Sequence, residues 1–567
     1  MKKRSLNSLL CTAAVGVLLL FCSASQSRAR TDSAADSVDF TSSNLPIVII
    51  DTHGQTIVDE PKIDADMRMI DNGPTKRNHV TDSLNAYHGR IGIEIRGSST
   101  QMFPKKQYAV ETRDSVGNGV DASLLGLPAE NDWVLSAPYD DKTLMRDALM
   151  YSITRSTGRY ASRARFCELV LNNEYMGIYV LFEKPKRTKN RQNVSKLGAA
   201  DTAGDAVTGG YMIKIDKVEG AGTDGWYSAY PPYPGASRRI YFQYHYPKPE
   251  DIVPQQKTYI QNLVAGFESL MATPDYADTA TGYATRIDVN SAIDYFLFNE
   301  MSKNVDAYRL SAYMYKDRDS KGGKLSFGPI WDFNIAFGNS DYYDGWLTQG
   351  YQLLFLTTDS WFLNNDEFQV PFWWKKLLLD PNFRTKAAGR WNTLRASELS
   401  WARIQFCIDS LANELAEAHP RNFQRWPVLG QYVWPNYYIG QTYEDEIAYL
   451  KSWISARTAW LDLQFPTTGV DDRRTDITRP GRTLLFQNYP NPFNPSTVVK
   501  YRVPDAGVVK VVVYDILGRE ISTLVNERKS AGEHEARFDA TGLPSGVYIY
   551  RLTAGDRSES LKMVLIE

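Results

Sequence analysis

The apolar residues of this chain change their spacing once, and that change limits the folds open to it. From about Leu45 to Glu111 the pattern alternates: Ile47 to Ile50 is a short apolar run, Ile91, Ile93 and Ile95 recur at every second position, and Tyr108 and Val110 repeat the alternation. A period of two sends successive side chains to opposite faces of a strand, so this part is sheet-rich. Asp140 to Ser156 then shows helical spacing, and Cys167 to Phe182 returns to strands around an Asn172-Asn173 turn. The stretch from Ala199 to Glu250, rich in Gly, Tyr and Pro, reads as a long excursion. After Asp251 the spacing is helical over Ile260 to Met271, Val289 to Met301, Phe383 to Leu394, Trp401 to Ala418 and Tyr443 to Leu463. Thr442 stands as N-cap of the last, ahead of Glu444, Asp445 and Glu446 in the turn where the helix dipole favours acids. Strands first and helices later predict an α+β domain over residues 45–465.

With 567 residues the chain exceeds what one hydrophobic core holds, and 43% hydrophobic with 23% charged residues are the proportions of a globular protein. A formal net charge of −2, without a long Lys or Arg run, gives no nucleic-acid footprint. At the start, Lys2, Lys3 and Arg4 precede the apolar run Leu9 to Phe21 and the small residues Ser23, Ala24 and Ser25. This is the layout of a signal peptide over residues 1–29, cut between Ser25 and Arg30. The run is too short for a bilayer of roughly 30 Å, so an integral membrane protein is not expected. A lipoprotein reading through Cys22 is weaker, because bulky Phe21 sits where a small residue is usual. Removing the signal leaves Cys167 and Cys407, too few for a disulfide framework or a cysteine zinc site but enough for one long-range bridge. Residues 30–44 read as a flexible segment and 466–482, polar and rich in Thr, Asp and Arg, as a linker.

The clearest chemistry lies in Asn304-Val-Asp-Ala-Tyr-Arg-Leu-Ser-Ala-Tyr-Met-Tyr315, followed by Lys324-Leu-Ser-Phe-Gly-Pro-Ile-Trp-Asp-Phe-Asn-Ile-Ala-Phe-Gly338. Two short strands flanking a loop would bring Asp306 and Asp332 to one edge of a sheet. Phosphoryl transfer uses such a pair: one carboxylate holds Mg²⁺, another orients the attacking hydroxyl, and a cation binds the remaining phosphates. An orienting Asp before one strand and a metal-binding Asp after another is the order found in protein kinases. On spacing alone the plainer reading is the stronger, with Asp306 capping a loop and Asp332 a turn beside Trp331. No Gly-x-x-x-x-Gly-Lys-Ser/Thr loop, His-Glu-x-x-His helix or Gly-x-Ser-x-Gly elbow is present, so hydrolase and zinc chemistries lack a motif.

Five pieces in order shift that balance. Arg96-Gly-Ser-Ser-Thr100, Phe103-Pro-Lys-Lys-Gln-Tyr108, Asp132-Trp-Val-Leu-Ser-Ala-Pro-Tyr-Asp-Asp-Lys-Thr-Leu-Met-Arg146, Asn172-Asn-Glu-Tyr-Met-Gly-Ile-Tyr179 with Glu183, and Pro329-Ile-Trp-Asp-Phe-Asn334 together resemble the spore-coat protein H (CotH) kinase family. The resemblance covers roughly Asp64 to Gly338. It implies an atypical protein-kinase-like fold that transfers phosphate from ATP, with Mg²⁺ or Mn²⁺, to Ser or Thr of an extracellular or envelope protein substrate. Carried over, it makes Lys106 the phosphate cation, with Lys105 the alternative, and Arg96 and Arg146 a phosphate clamp. Glu183 orients the lysine or meets the nucleotide, Asp306 is the catalytic-loop acid, and Asp332, Asn334 and Ser311 are the metal ligands. Each has an ordinary counterpart: solvated edge lysines, arginines paired with acids, a strand-end carboxylate. Two departures stand out. Ser311 occupies the plus-five position of a kinase-like Asn, and Asn334 stands where the family often has a second Asp; both keep an oxygen, but Asn334 loses a charge. The competing class is a catalytically weak or inactive kinase-fold module for binding or adhesion at the surface, suggested by the aromatic loops Trp226 to Tyr233 and Tyr342 to Tyr351.

Past the linker, Val508 to Tyr514, His534 to Phe538, Val547 to Leu552 and Ser560 to Ile566 are short strands separated by turn signals at Leu517-Gly-Arg519 and Leu543-Pro-Ser-Gly546. That spacing predicts an immunoglobulin-like β-sandwich over residues 483–567. Phe486-Gln-Asn-Tyr-Pro-Asn-Pro-Phe-Asn-Pro495, Val513-Tyr-Asp-Ile-Leu-Gly-Arg519, Leu543-Pro-Ser-Gly-Val-Tyr548 and Lys562-Met-Val-Leu565 resemble a type A sorting domain of the type IX secretion system. The resemblance implies passage across both membranes of a Gram-negative cell with the type IX machinery as partner, and a secreted or surface-attached product.

Overall fold

The computed structural model describes residues 38–217, 225–465 and 484–565, except 487, 489, 492, 504, 516–518 and 556. The expected signal peptide, most of the 30–44 segment and the whole of the linker lie outside the described residues. The chain divides between Pro466 and Thr467 into two compact units.

In the larger unit the alternating segments close into a barrel. Its strands run in the order Ile47–Asp51, Ile63–Ile70, Tyr87–Arg96, Gln107–Arg113, Asp132–Ser136, Glu174–Glu183 and Ala164–Leu171, the last pairing with the first in parallel. Closure leaves no open sheet edge. Val48, Ile50, Met67, Met69, Ile91, Ile93, Val110, Trp133 and Leu181 fill the interior. Ile47 and Ile49 face the other way and pack with Ile70 beneath Phe40 and Val80. Burial on both faces is why that strand reads as an unbroken apolar run. Asn172 and Asn173, at φ 51° and 66°, turn the chain between Leu171 and Glu174 as a two-residue hairpin requires.

A second sheet of five strands has the order Gly225–Tyr227, Tyr241–Tyr246, Tyr211–Ile215, Ala312–Lys316 and Ser326–Phe327. Three of these come from the stretch read as an excursion. Runs of three to six residues set among glycines and prolines are too short to show a period. The helices stand close to their expected places: Pro254–Ala272, Val289–Ser302, Pro381–Arg395, Trp401–Leu415 and Tyr443–Gln464, with Ala418–Arg425 separate from the fourth. At the last, Asp445 N–H donates to Thr442 Oγ1 at 3.1 Å and Thr442 N–H to Asp445 Oδ2 at 2.9 Å, a reciprocal cap. Cys167 and Cys407 are both free thiols, so the long-range bridge is not formed. Among the described residues no helix is long and apolar enough to cross a membrane.

A buried ion pair fixes the helices behind the second sheet. Glu300 and Arg457 have fully buried side chains and meet at 3.2 Å. Glu300 also accepts from Tyr308 Oη at 3.0 Å and from the backbone N–H groups of Gln352 and Leu353 at 2.8 and 2.9 Å. Arg457 spends its remaining donors on the carbonyls of Glu300, Thr348 and Gly350. With every partner satisfied the pair survives burial, but removing one member strands the other charge. Arg457→Met is therefore expected to cost about 3–5 kcal/mol of stability in the larger unit, read by chemical denaturation.

The smaller unit is two sheets over one core. Leu484–Leu485, Ser496–Val503 and Gly532–Asp539 form one; Glu520–Lys529, Gly507–Tyr514, Gly546–Ala554 and Arg557–Leu565 form the other. Val499, Tyr501 and Phe538 from the first meet Val511, Val513, Tyr550 and Leu552 from the second. The motif at its start is a brace: Asn488 Nδ2 donates to Pro490 O and Thr497 Oγ1, each at 3.0 Å, while Tyr550 Oη donates to Phe486 O at 2.7 Å.

Candidate functional site

Strands Ala312–Lys316 and Ser326–Phe327 are antiparallel, with Met314 opposite Phe327. The loop entering the first and the loop leaving the second thus lie at the same end of the sheet. Asp306 sits in the former and Asp332 in the latter, and both line a cleft of about 930 Å³ walled by the barrel, the second sheet and the helical part.

Asp332 has a left-handed backbone, φ 70°, costing a non-glycine residue on the order of 1 kcal/mol, so its surroundings must enforce it. Helix Arg146–Ser156 does so. Tyr151 Oη accepts from Asp332 N–H at 3.0 Å, Asp147 Oδ1 accepts from Phe333 N–H at 2.6 Å, and the Tyr151 ring stacks on Trp331. Asn304 Nδ2 donates to the Asp332 carbonyl at 3.0 Å, tying the two loops together, and Asn334 Nδ2 donates to Asp140 Oδ2 at 2.8 Å. Burial and the charge of Asp141 push Asp140 up to about 7. Burial and Asp332 push Asp147 up to about 8, and desolvation by the cleft walls with the charge of Asp306 pushes Asp332, itself exposed, up to about 6. These carboxylates are crowded together and short of positive charge.

Cations reach the same cleft from the barrel and the second sheet. Arg96 lies over the Trp331 ring at 5.9 Å, Lys214 Nζ is 3.0 Å from Asp216 Oδ2, and Lys217 Nζ donates to Ser98 Oγ at 3.5 Å. Lys184 projects into the cleft with no side-chain hydrogen bond or ion pair among the described residues, and the surrounding protein pushes its ammonium below the usual lysine range by desolvation. The Arg96–Thr100 loop needs its glycine. Gly97 has φ 95°, and a Cβ there would meet Thr100 Oγ1 at 2.1 Å.

Asp306 is held differently. Its carboxylate accepts from Arg309 Nη2 at 2.8 Å, and Arg309 Nη1 donates to Asp366 Oδ1 at 3.0 Å. Burial pushes Asp306 upward against the lowering pull of Arg309. Ser311, at φ 48°, and Asn334 line the cleft as well.

Four expected site residues lie away from the cleft lining. Lys105 is buried, donating to Ile178 O at 2.6 Å and Asn422 Oδ1 at 2.9 Å. Lys106 Nζ donates to Gln101 O at 2.6 Å. Arg146 is buried against Asp141 at 2.5 Å, and Glu183 accepts from Arg163 Nη1 at 2.7 Å. Thus Lys105 and Glu183 stitch the framework, and Arg146 fixes the corner carrying Asp140 and Asp141.

Among the described residues no three His, Cys, Asp or Glu side chains converge into a ready-made metal cage. The oxygens beside the left-handed turn, from Asp332, Asp147 and Asn334, are hard donors. They fit Mg²⁺ or Mn²⁺ of the kind held by one or two carboxylates together with phosphate oxygens and water.

Residues 93–461 match the family described as CotH kinase protein. The chain belongs to the CotH kinase protein family. Residues 487–567 match the secretion system C-terminal sorting domain, which assigns the chain to type IX export and to a secreted or surface location. A search of curated proteins gives no match. In this CotH kinase family chain, sequence reasoning missed Asp140, Asp147, Lys184, Lys214 and Lys217. Asp140 lies within the Asp132–Arg146 motif and Asp147 directly follows it, but no local spacing marks either as facing a cleft. Lys184 directly follows Glu183, at the point where the strand ends.

Proposed function

We propose that this protein is an exported, metal-dependent phosphotransferase that moves phosphate from ATP to Ser or Thr hydroxyls of extracellular or envelope proteins. The observation that carries this reading is one cleft holding both halves of the required chemistry: crowded, charge-starved carboxylates around Asp332, and the cations Arg96, Lys184 and Lys217 free of the core. We read the barrel and the helical part as an atypical kinase-like pair of lobes, and the tail as an immunoglobulin-like sandwich.

In this reading Lys184, Lys217 and Arg96 bind the phosphates, in place of Lys106 or Lys105. Asp332, with Asn334 and Asp147, would hold Mg²⁺ or Mn²⁺, which when bound neutralises charge on the phosphate oxygens. Asp306 orients the acceptor hydroxyl and takes its proton as the oxygen bonds to phosphorus. Tyr151 and Arg146 act as positioning residues behind Asp332 and Asp141. A second reading, a surface binding module without turnover, draws on the Arg309 ion pair that already occupies Asp306.

Isothermal titration of the mature chain with ATP and Mg²⁺ tests the assignment. Lys184→Met is expected to weaken binding about tenfold, since one charge-assisted contact is lost, and to change the melting temperature little, because the side chain makes no hydrogen bond or ion pair among the described residues and only a longer-range attraction to Asp132 is lost. Unchanged affinity would contradict the assignment of Lys184 to the phosphates.

Export has its own test. Deleting residues 481–567 is expected to leave the larger unit folded and to retain it in the periplasm, measured by fractionation and surface proteolysis. Surface display of the truncated chain at the normal level would contradict the sorting role.

A further inference from the structure

The cations of the cleft gather near Arg96 and Lys217, whereas its mouth beside Asp306 is aromatic. Trp361, Tyr432 and Trp434 are 61%, 55% and 38% exposed, and all three line the cleft. Isolated exposed rings are ordinary, but three at one mouth form a patch that a monomer has no folding reason to leave in water. They are also held in place. Trp434 stacks on Tyr342 with the rings 10° from parallel, Tyr432 Oη donates to Asp341 Oδ2 at 2.7 Å, and the Trp361 ring lies 6.2 Å from that of Tyr343.

This wall is wired to Asp306. Tyr343 Oη donates to Asp366 Oδ2 at 2.6 Å, Asp366 accepts from Arg309 at 3.0 Å, and Arg309 binds Asp306 at 2.8 Å, with its guanidinium 5.5 Å from the Tyr343 ring centroid. Phosphates gain little here, because the cations beside Asp306 and Asp366 are already engaged: buried Arg309 holds both carboxylates, and Arg238 donates to the Asp366 carbonyl. The acceptor is left to occupy this side. Fixed aromatic faces gain most from covering apolar or aromatic side chains, at little entropic cost to themselves.

We propose that the Trp361–Tyr432–Trp434 wall is the acceptor subsite, and that it selects polypeptide segments carrying an aromatic or large aliphatic side chain next to the accepting Ser or Thr. The inference rests on the phosphotransfer reading above. The acceptor chain lies across the rings with its hydroxyl at Asp306. Its oxygen bonds to the γ-phosphorus, the bond to the bridging oxygen of ADP breaks, and the hydroxyl proton passes to Asp306.

The test uses the mature chain, ATP with Mg²⁺, and serine peptides differing only in a flanking Phe, Leu or Gly. The wild type is expected to favour Phe and Leu over Gly in kcat/KM by about tenfold or more. Trp361→Ala and Tyr432→Ala, both at exposed positions, are expected to erase that preference through the peptide KM, leaving the KM for ATP and basal ATP hydrolysis unchanged. Equal use of all peptides by the wild type, a preference that survives in both variants, or phosphorylation of oligosaccharides ahead of peptides would overturn the subsite while the phosphotransfer reading stands. Absence of nucleotide binding and of any transfer in the wild type would overturn that reading and the subsite with it.

Discussion

Asp332→Asn is expected to lower phosphate transfer by on the order of 10³ and to weaken Mg²⁺-dependent ATP binding at the same time. The charge at Asp332 is needed in ground and transition states alike, and charge stabilisation of the kind it supports is worth several kcal/mol. The fold should tolerate the change. Asn is isosteric, the left-handed turn depends on backbone contacts from Tyr151 and Asp147 rather than on the Asp332 carboxylate, and Asn accepts a positive φ readily. Nucleotide titration and a transfer assay on one preparation check both halves, with circular dichroism as the control for folding.

Asp306→Asn separates the second acid from the first. An interaction realised mainly in the transition state leaves ground-state binding alone, so ATP and metal affinity should stay close to wild type while turnover falls by on the order of 10² or more. Arg309 does not become an orphan in this variant, because Asp366 still holds it at 3.0 Å. Stability should therefore change little. Equal and small effects of the two substitutions would instead favour the binding-module reading.

How far the sequence foretold this arrangement depended on the length of each signal. Helices such as Tyr443–Gln464 were legible because a period of 3.6 repeats over many turns and the Thr442 cap marks the start. The barrel strands were legible as strands, but their closure was not, since the parallel pairing of Ile47–Asp51 with Ala164–Leu171 joins segments more than a hundred residues apart. At the site, Asp306 and Asp332 share the cleft, the pair to which the strands around one hairpin pointed, and Asn334, Ser311 and Arg96, to which only the family resemblance pointed, line it as well. The lysines did not follow. Lys105 is turned inward by Asn422, a partner 317 positions away that no local pattern reveals, and Lys184 presents itself to the cleft because the strand ends there. A motif names a neighbourhood; which of its side chains faces the cleft is decided by contacts distant in sequence.

Phosphate transfer itself is the decisive activity. The mature chain, incubated with γ-labelled ATP, Mg²⁺ or Mn²⁺ and a protein acceptor, is predicted to yield labelled phosphoserine or phosphothreonine that disappears on metal chelation and in Asp332→Asn. Metal-dependent ATP binding without label on any acceptor, or label equal in the wild type and Asp332→Asn, would contradict it.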